Sequence, residues 1–486
     1  MEELQNALDK KSLKFSTLPE KGRCLFAARD FSPGEVLLSE NPYVCVPNKN
    51  KESPLCKCEW CFSTTNLKKC SGCHVIWYCS SKCQRSDWKL HSAECKVLSK
   101  VDKQRVNSLT PSLLLMVKLC IRRKLEIEKV IPTSATESYK YVEALVSHMS
   151  DINEKQLLLY AQMANLVNLI LQCPDFQLNV KEIAENFSKL ACNAHTICDG
   201  ELRPLGTGLY PFISIINHSC LPNSVLVFEG RLAVVRAMQH IPKGTEVLIS
   251  YVDIAGSTLT RQKALKEQYY FTCACSRCIK LGQSDDIRES AVLEGYRCKD
   301  SQCDGFLLRN SDDKGFICQQ CGFLREKEEI TNITIKLKSM SEKASALLSS
   351  GHKTEAIEAY KMIERMQLLL YQPFSISLMR NWETLIKIFM ELQDWREALS
   401  YCRLTVPAYE RAYPRSYPLV GLQYYMCGKF EWLLGETEAA VRSLTKALDI
   451  LRVTHGTKSP FMVELVNTVE EARAEALYKL HSQVRD

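Results

Sequence analysis

Two kinds of hydrophobic segment are missing from this sequence of 486 residues. It contains no run of about 18 or more apolar residues, the length that a membrane-spanning helix requires. Its N-terminus, MEELQNALDKK, has no apolar stretch of the kind that a secretion signal needs. We therefore expect a protein that is not secreted and makes no membrane contact.

A large excess of one charge sign is also missing. The chain has 63 Lys and Arg against 56 Asp and Glu, a formal net charge of +7. This mild excess permits contact with acidic partners without indicating nucleic acid by itself. A hydrophobic content of 46% and a charged content of 24% are typical of a globular protein. The length predicts two to four domains.

Cysteine, in contrast, is abundant, with 24 residues. In a chain without a secretion signal, spaced cysteine pairs predict metal-binding thiolates rather than disulfides. Eight soft ligands in four pairs fit two closed tetrahedral zinc sites, which are structural because no ligand position stays open. The pairs are Cys58-x2-Cys61, Cys70-x2-Cys73, Cys79-x3-Cys83 and His91-x3-Cys95.

Two further groups of cysteines follow. The motif Cys273-x-Cys275-x2-Cys278 lacks one ligand for a tetrahedral zinc, and Cys220 is the obvious candidate. The pairs Cys298-x4-Cys303 and Cys318-x2-Cys321 have the spacing of a zinc ribbon. The sequence therefore predicts three zinc sites and, with the ribbon, a fourth. The cysteines without metal-like partners are expected to be buried, namely Cys192, Cys198, Cys402 and Cys427.

Residues 216–223 read Ile-Asn-His-Ser-Cys-Leu-Pro-Asn. Asn217 and His218 lie between an apolar run and a thiol, and Pro222 prevents a regular continuation. The chain must bend there, and the polar side chains need partners. Alone, the stretch is also an ordinary turn and a formal glycosylation sequon. Downstream, residues 244–251 predict a turn and an apolar strand that ends at Tyr251.

Periodicity indicates the remaining organisation. Strands are expected at 13–18, 24–28 and 36–38, and helices across 96–190. The helical stripes in this insert are Leu113, Leu114, Val117 and Ile121, and then Leu157, Leu158, Tyr160, Met163, Leu166, Val167 and Ile170. From about residue 332, helical hairpins repeat with Ala356, Ala398 and Ala439 in equivalent positions, 42 and 41 residues apart. This unit resembles a lengthened tetratricopeptide repeat (TPR).

Together these motifs resemble the SET- and MYND-domain (SMYD) lysine methyltransferases over nearly the whole chain. The resemblance implies an α+β fold: a SET-domain β-fold interrupted by a MYND zinc finger and a helical insert. A zinc-bound post-SET segment, a zinc ribbon and a C-terminal TPR-like α-helical domain follow. The opening Leu-Pro-Glu-Lys-Gly-Arg and the added ribbon look most like the plant members.

The resemblance also implies the domain boundaries. They are 10–55 for the N-terminal part of the SET domain, 56–95 for the MYND finger, 96–190 for the helical insert, 191–255 for the SET core, 256–285 for the post-SET segment, 290–328 for the ribbon and 332–486 for the TPR-like domain. The helical insert is expected to form one wall of a substrate cleft.

By the same resemblance, the finger ligands interleave into the sets Cys58, Cys61, Cys79, Cys83 and Cys70, Cys73, His91, Cys95. S-adenosylmethionine (SAM) is expected to contact Lys21, Gly22, Arg23, Asn193, Asn217, His218, Tyr251 and Phe271. Tyr251 and Tyr269 would line the channel for the substrate lysine and are the candidate catalytic residues.

Three features depart from the family pattern. Cys24 replaces the second glycine of a Gly-x-Gly motif that lets the backbone approach SAM. His195 stands where animal members tend to have an aromatic residue. The ribbon is absent from the best-known animal members. The first two are expected to affect cofactor affinity and the number of methyl groups transferred.

Two alternative functions and one contributory role follow from these observations. The first is SAM-dependent methylation of lysine on a histone tail or another protein, in the nucleus and the cytoplasm. The alternative is a zinc-stabilised adaptor, in which the MYND finger binds proline-rich partners and the SET fold is weak or inactive. A weak DNA contact through lysines near the finger is a third, contributory role. Those lysines are Lys68, Lys69, Lys82, Lys89 and Lys96.

Overall fold

The structure is a computed structural model that describes residues 2–48, 56–102, 109–134, 136–171, 179–312 and 314–483. The chain divides into two compact units. The first comprises Met1–His218, Pro222–Ile249 and Glu267–Tyr270; the second comprises Ser219–Leu221, Ser250–Lys266 and Phe271–Asp486. Among the described residues, no helix combines the length and the apolar character needed to cross a membrane.

The strands are short and lie mostly in the first unit. They are β1 Leu13–Leu18, β2 Gly22–Ala27, β3 Val36–Glu40, β4 Val44–Pro47, β5 Lys68–Lys69, β6 Trp77–Tyr78, β7 Ala194–Cys198, β8 Pro204–Leu209, β9 Asn217–His218, β10 Ser224–Glu229, β11 Leu232–Ala237, β12 Leu248–Ile249, β13 Leu307–Arg309, β14 Gly315–Cys318 and β15 Leu324–Glu326. The strands expected near residues 13, 24 and 36 are confirmed.

The helices are concentrated between the strands of the first unit and at the C-terminal end of the chain. They are α1 Glu2–Asp9, α2 Ser81–Leu98, α3 Pro111–Ile127, α4 Tyr139–Glu143, α5 Glu154–Leu171, α6 Val180–Asn193, α7 Thr258–Tyr269, α8 Ser284–Glu294, α9 Lys327–Ser349, α10 Lys353–Leu370, α11 Ile376–Glu391, α12 Trp395–Ala412, α13 Pro418–Leu433, α14 Thr437–His455 and α15 Pro460–Gln483.

Strands from the two ends of the first unit pair with each other. β4 is antiparallel to β8, which also pairs with β7, and β3 is antiparallel to β11, which also pairs with β10. β8 approaches β4 so closely that a Cβ at Gly206 would lie 2.6 Å from the Val46 carbonyl oxygen, so glycine is required there. The finger and the helices α3 to α6 therefore form one insertion between two halves of a β-fold.

The described residues of this insertion share a large hydrophobic cluster. The finger residues Cys58 and Tyr78, helix α3 and the strand residues Val44 and Leu209 belong to the same buried cluster. The expected stripe of α3, which begins at Leu113, is buried and therefore confirmed. The finger is thus stabilised by apolar packing as well as by its predicted zinc ions.

The stripe that we predicted for α5 is wrong in part. Tyr160 and Val167 are buried, but the side chains of Leu157, Leu158 and Leu166 are 44%, 60% and 48% exposed. The buried stripe is narrower, and its members are spaced four, three and four residues apart. They are Tyr160, Ala164, Val167 and Leu171.

The C-terminal helices of the second unit repeat with a constant period. Helices α10, α12 and α14 begin at Lys353, Trp395 and Thr437, and each start is 42 residues after the previous one. Ala356 and Ala398 are fully buried, as the repeat predicts. The third buried alanine is Ala440 rather than Ala439, which corrects the expected spacing of 41 to 42. Cys402 and Cys427 lie in the same core, as predicted.

The turns before these three helices also repeat. The residue two positions before each helix has a positive φ: 84° at Gly351, 60° at Gln393 and 79° at Gly435. Glycine adopts this left-handed conformation at little cost, whereas the same conformation costs a residue with a Cβ about 1–2 kcal/mol of conformational free energy. The middle turn is therefore the strained one of the three.

Exchanging residues between these turns tests the repeat. Gly351→Ala should lower the free energy of unfolding by about 1 kcal/mol, because a Cβ there meets no neighbour and only the backbone conformation is penalised. Gln393→Gly should change stability by less than about 0.5 kcal/mol, since relief of strain offsets the entropy of glycine. Urea unfolding followed by circular dichroism measures both. Equal decreases in the free energy of unfolding of the two variants would contradict the conclusion that the middle turn is the strained one.

Candidate active site and zinc centres

The bend predicted at residues 216–223 holds a tightly bonded asparagine. Asn217 begins β9, which runs parallel to β12. Its side-chain Nδ2 donates to the Arg23 carbonyl oxygen and to Glu246 Oε1, each at 2.9 Å, and lies 3.2 Å from Cys24 Sγ. The side-chain amide of Asn217 therefore joins strand β2, the bend and the turn before β12.

The turn between β1 and β2 lies beside this amide. Gly22 has a φ of 71°, which favours glycine, and the Lys21 ammonium lies 2.6 Å from Glu246 Oε2. Cys24 is fully buried, and its thiol donates to the Gly22 carbonyl oxygen at 3.5 Å. Burial, followed by the charge of Glu246, raises the pKa of Cys24 to about 11. The thiol therefore stays protonated at neutral pH.

A second asparagine fixes the far end of the bend. Asn223 is buried; its Nδ2 donates to the Glu246 carbonyl oxygen at 2.8 Å, and its Oδ1 accepts from the Leu248 N–H at 2.9 Å. The hydroxyl of the neighbouring Ser224 donates to the Leu248 carbonyl oxygen at 2.8 Å. Two buried side chains thus bond the N–H and the carbonyl oxygen of Leu248 and help to hold the two-residue strand β12 in place.

Two of the candidate aromatic residues belong to the second unit and contact each other. The rings of Tyr251 and Phe271 meet edge to face, with centroids 6.4 Å apart and an angle of 84°. Between β12 and this pair, the Ser250 hydroxyl donates to the Val252 carbonyl oxygen at 2.6 Å and tightens the turn. The pair presents apolar ring surface with one phenolic hydroxyl.

The remaining candidates lie in the first unit. Burial, followed by the charge of Cys192, raises the pKa of Tyr269 to about 12, so its hydroxyl stays protonated. Burial lowers the pKa of His195 to about 4, so its imidazole is neutral. Asn193 Nδ2 donates to the carbonyl oxygens of Lys189 and Val146 at 2.8 and 2.9 Å, which leaves only its oxygen for a ligand. His218 is buried. Cys192 and Cys198 are only half-buried, so the expectation that all four cysteines without metal partners are buried is wrong for these two.

The sixteen expected metal ligands form four clusters. Within each cluster the ligand atoms lie within 4.8 Å of one another. A tetrahedral ion with Zn–S bonds of about 2.3 Å holds its sulfur atoms about 3.8 Å apart. One sulfur pair in each cluster measures 3.5 Å for Cys61 and Cys79, 3.8 Å for Cys70 and Cys95, 3.5 Å for Cys220 and Cys278, and 3.5 Å for Cys298 and Cys321. The donor sets and distances fit Zn²⁺.

Buried charges surround the finger ligands. His91 Nδ1 lies 2.8 Å from Glu94 Oε2, so a carboxylate orients the ring whose Nε2 faces Cys73. From helix α3, the ammonium of the buried Lys118 donates to Glu59 Oε1 at 2.5 Å and lies 4.0 Å from Glu94 Oε1. One lysine therefore contacts carboxylates beside both finger clusters.

The cluster of Cys220 has its own charged neighbour. Arg261 is 1% exposed, and its Nη2 lies 3.9 Å from Cys278 Sγ. A guanidinium at this distance stabilises thiolates. Gln262 is bonded to both the N–H and the carbonyl oxygen of Cys273, at 2.8 and 2.6 Å. Glu246, Lys118 and Arg261 were not identified from the sequence, because no motif or local spacing links them to their partners.

A split β-fold, an Asn-His-Ser-Cys bend beside a short parallel strand and a four-cysteine cluster after it define a SET-domain protein. A match to the SET domain covers residues 22–252. The histone-lysine N-methyltransferase ASHR1 of Arabidopsis thaliana is 59% identical over 479 residues, which is 99% of each chain. The human N-lysine methyltransferase SMYD2 is 26% identical over 93% of this chain and 96% of its own.

The crystal structure of the SET domain of LSMT bound to lysine and AdoHcy is a distant match, at 12% identity and a TM-score of 0.32 over 98% of this chain and 91% of that one. The assignment does not depend on it. The chain belongs to the SET- and MYND-domain family of protein-lysine N-methyltransferases. The enzymatic interpretation, with SAM as the methyl donor, is therefore confirmed.

We propose that each of the four clusters holds one zinc ion. Metal analysis of the purified protein should then return four zinc ions per chain, and Cys318→Ser should return three. SAM binding should survive this substitution, because the ribbon contains none of the proposed cofactor contacts. Three ions in the parent and three in the variant would exclude the ribbon site.

Replacing Lys118 with methionine should weaken both finger sites. The substitution leaves the buried Glu59 and Glu94 without their ammonium, a change that typically costs about 3–5 kcal/mol. Zinc binding and folding of the finger are coupled, so a chelator should remove two zinc ions faster from the variant. Lys189→Met is the control, because Lys189 is also buried but bonds to the Glu143 carbonyl oxygen and pairs with Glu185, neither of which belongs to the finger. Equal zinc retention in the two variants would contradict the role of Lys118.

Proposed function

We propose that this chain methylates lysine on histones or on other lysine-bearing proteins, with the residues named above forming its SAM and lysine sites. The observation that carries the proposal is the hydrogen bonding around β9 and β12. These bonds hold Asn217 in one orientation, and the chain leaves β12 only two residues before Tyr251. These observations support Asn217 as the proposed cofactor-binding amide and Tyr251 as the proposed catalytic tyrosine.

Bound SAM supplies an electrophilic methyl group. The chain has to hold the lysine of the substrate protein with its amine neutral and aimed at that methyl group. A free lysine titrates near pH 10.4, so deprotonation near pH 7.5 costs about 4 kcal/mol. Aromatic walls exclude water and lower that pKa by desolvation. The edge-to-face pair of Tyr251 and Phe271 is suited to this task, and the Tyr251 hydroxyl can orient the amine nitrogen.

The cofactor contacts that we propose in the first unit are Lys21, Gly22, Arg23, Asn193, Asn217 and His218; those in the second are Tyr251 and Phe271. Their chemistry is suitable for SAM, which carries an ammonium, a carboxylate and an adenine. A lysine ammonium and backbone N–H groups can donate hydrogen bonds to the SAM carboxylate. Carbonyl and carboxamide oxygens can accept from the N–H groups of SAM, and aromatic rings can pack against its sulfonium. Tyr269, half-buried and protonated, is the second proposed wall of the lysine channel.

We propose a recruiting role for the MYND finger in addition. Trp88 on helix α2 is 49% exposed, and an exposed tryptophan is the kind of side chain that binds proline-rich peptides. The five lysines near the finger are exposed and would give a weak contact to DNA. A histone substrate would place the protein in the nucleus, and other substrates would place it in the cytoplasm.

Tyr251→Phe tests the mechanism. Loss of the hydroxyl should lower methyl transfer at least ten-fold, about 1.4 kcal/mol in the barrier, while the affinity for SAM changes little because the ring remains. The measurements are methylation of histones and of a cell lysate with labelled SAM, and isothermal titration with SAM. His218→Ala should instead weaken SAM binding first.

A matched control uses another edge-to-face tyrosine of the second unit. Tyr296 packs against Phe316 with centroids 5.1 Å apart and the same angle of 84°. Tyr296→Phe should leave methyl transfer unchanged. Full activity of Tyr251→Phe on every substrate found would show that Tyr251 only packs, and the mechanism would be wrong.

A further inference from the structure

Glu246 has a position that the proposed mechanism does not yet use. It follows the turn at Gly244, whose φ is 83°, and its side chain is only 10% exposed. Oε1 accepts from Asn217 Nδ2 at 2.9 Å, and Oε2 accepts from the Lys21 ammonium at 2.6 Å. One carboxylate thus contacts two side chains that we assign to cofactor binding.

The contact with Asn217 decides how that carboxamide is turned. A primary amide has two N–H donors on nitrogen and its acceptors on the opposite oxygen. Glu246 Oε1 and the Arg23 carbonyl oxygen each lie 2.9 Å from the nitrogen, which accounts for both N–H groups. The oxygen Oδ1 must then point away from both. Because Glu246 is charged, rotating the amide by 180° would bring Oδ1 against a carboxylate.

The carboxylate also has a rigid support. The backbone of Glu246 bridges to Phe26, and its carbonyl oxygen accepts from Asn223 Nδ2 at 2.8 Å. The next residue, Val247, donates its N–H to the Leu25 carbonyl oxygen at 2.8 Å. Bonds to β2 and to the bend therefore fix the backbone that carries the carboxylate, and a group that positions another needs such support.

A simpler role for Glu246 would be to neutralise Lys21. The Lys21 side chain is 45% exposed, and ion pairs with an exposed partner contribute little to stability. That role would explain Oε2 but not Oε1, which faces the half-buried Asn217. Neutralising Lys21 and orienting Asn217 predict different effects on SAM binding, because only the orienting role involves the asparagine.

We propose that Glu246 is a positioning residue for methyl transfer. Its carboxylate holds the Asn217 carboxamide in the single orientation in which Oδ1 accepts a hydrogen bond from an N–H donor of bound SAM. The same carboxylate limits the reach of the Lys21 ammonium. This inference rests on the proposed function, and it adds a residue that touches neither the cofactor nor the substrate lysine.

The test compares Glu246→Gln with the parent by titration with SAM and by steady-state kinetics. The neutral amide no longer enforces one orientation, so the Kd and KM for SAM should rise about ten-fold while kcat falls less than three-fold. Glu246→Asp, which keeps the charge, should recover part of the affinity. Glu229→Gln is the control, because Glu229 forms an ion pair with Arg236 on strands β10 and β11. It should match the parent.

The double variant separates positioning from folding. If Glu246 acts through Asn217, Asn217→Ala should weaken SAM binding, and adding Glu246→Gln should weaken it less than two-fold further. A purely structural role would instead lower the melting temperature and leave the Kd for SAM unchanged, and that result would overturn the inference. If the parent itself bound no SAM, the proposed function would fail and this inference with it; a parent-like Glu246→Gln in an active protein would overturn this inference alone.

Discussion

The pairing of β4 with β8 is the constraint on which the rest of the first unit depends. It joins Val44 to Leu209 across the whole insertion, and with β3 and β11 it makes one β-fold from two distant pieces of chain. The entropy of closing a loop grows only slowly with its length, so a long insertion is tolerated. Its exposed backbone and apolar groups still need partners. The insertion therefore has to fold, and it does so on the strands that close it.

The finger combines two sources of stability that are usually discussed separately. Its ligands form closed clusters suited to zinc, yet Cys58, Cys70 and Cys73 are also members of the apolar cluster that contains helix α3. Within that cluster Lys118 is a buried charge, which is costly unless it is paired. Its pairing with Glu59 and Glu94 satisfies the lysine and sets the surroundings of both finger clusters. Packing and metal binding are thus coupled through one side chain.

The sequence was most informative where chemistry is local. Cysteine and histidine ligands two to five residues apart predicted all four clusters, with Cys220 as the one distant ligand, since a turn with two thiols has few other uses. It was less informative where several residues compete for one role. Leu157, Leu158 and Leu159 in succession place apolar side chains about 100° apart around α5, so they do not define one face. Ala439 and Ala440 are indistinguishable until the helix start is known.

Outside the metal clusters, the contacts between distant charged and polar side chains were not predicted. Glu246 lies 29 residues from Asn217 and 225 from Lys21, and no periodicity relates them. Lys118 lies within an apolar run, Leu-Leu-Leu-Met-Val-Lys-Leu-Cys-Ile, and looks there like the solvent-facing residue of a helix. Both positions depend on strand pairing and core packing. Such contacts can be found only after the fold is known.

The fold also explains the effect of having Cys24 at the position where the family pattern has a second glycine. Cys24 lies in regular strand pairing with Ser16 and is not among the described residues with a positive φ, whereas Gly22 is. The first glycine of the motif is thus needed for the turn, and the second position accepts a small side chain without backbone strain. The added sulfur lies 3.2 Å from Asn217 Nδ2 and occupies the space beside the bonded amide. The substitution therefore alters the surroundings of the Asn217 carboxamide and leaves the course of the backbone unchanged.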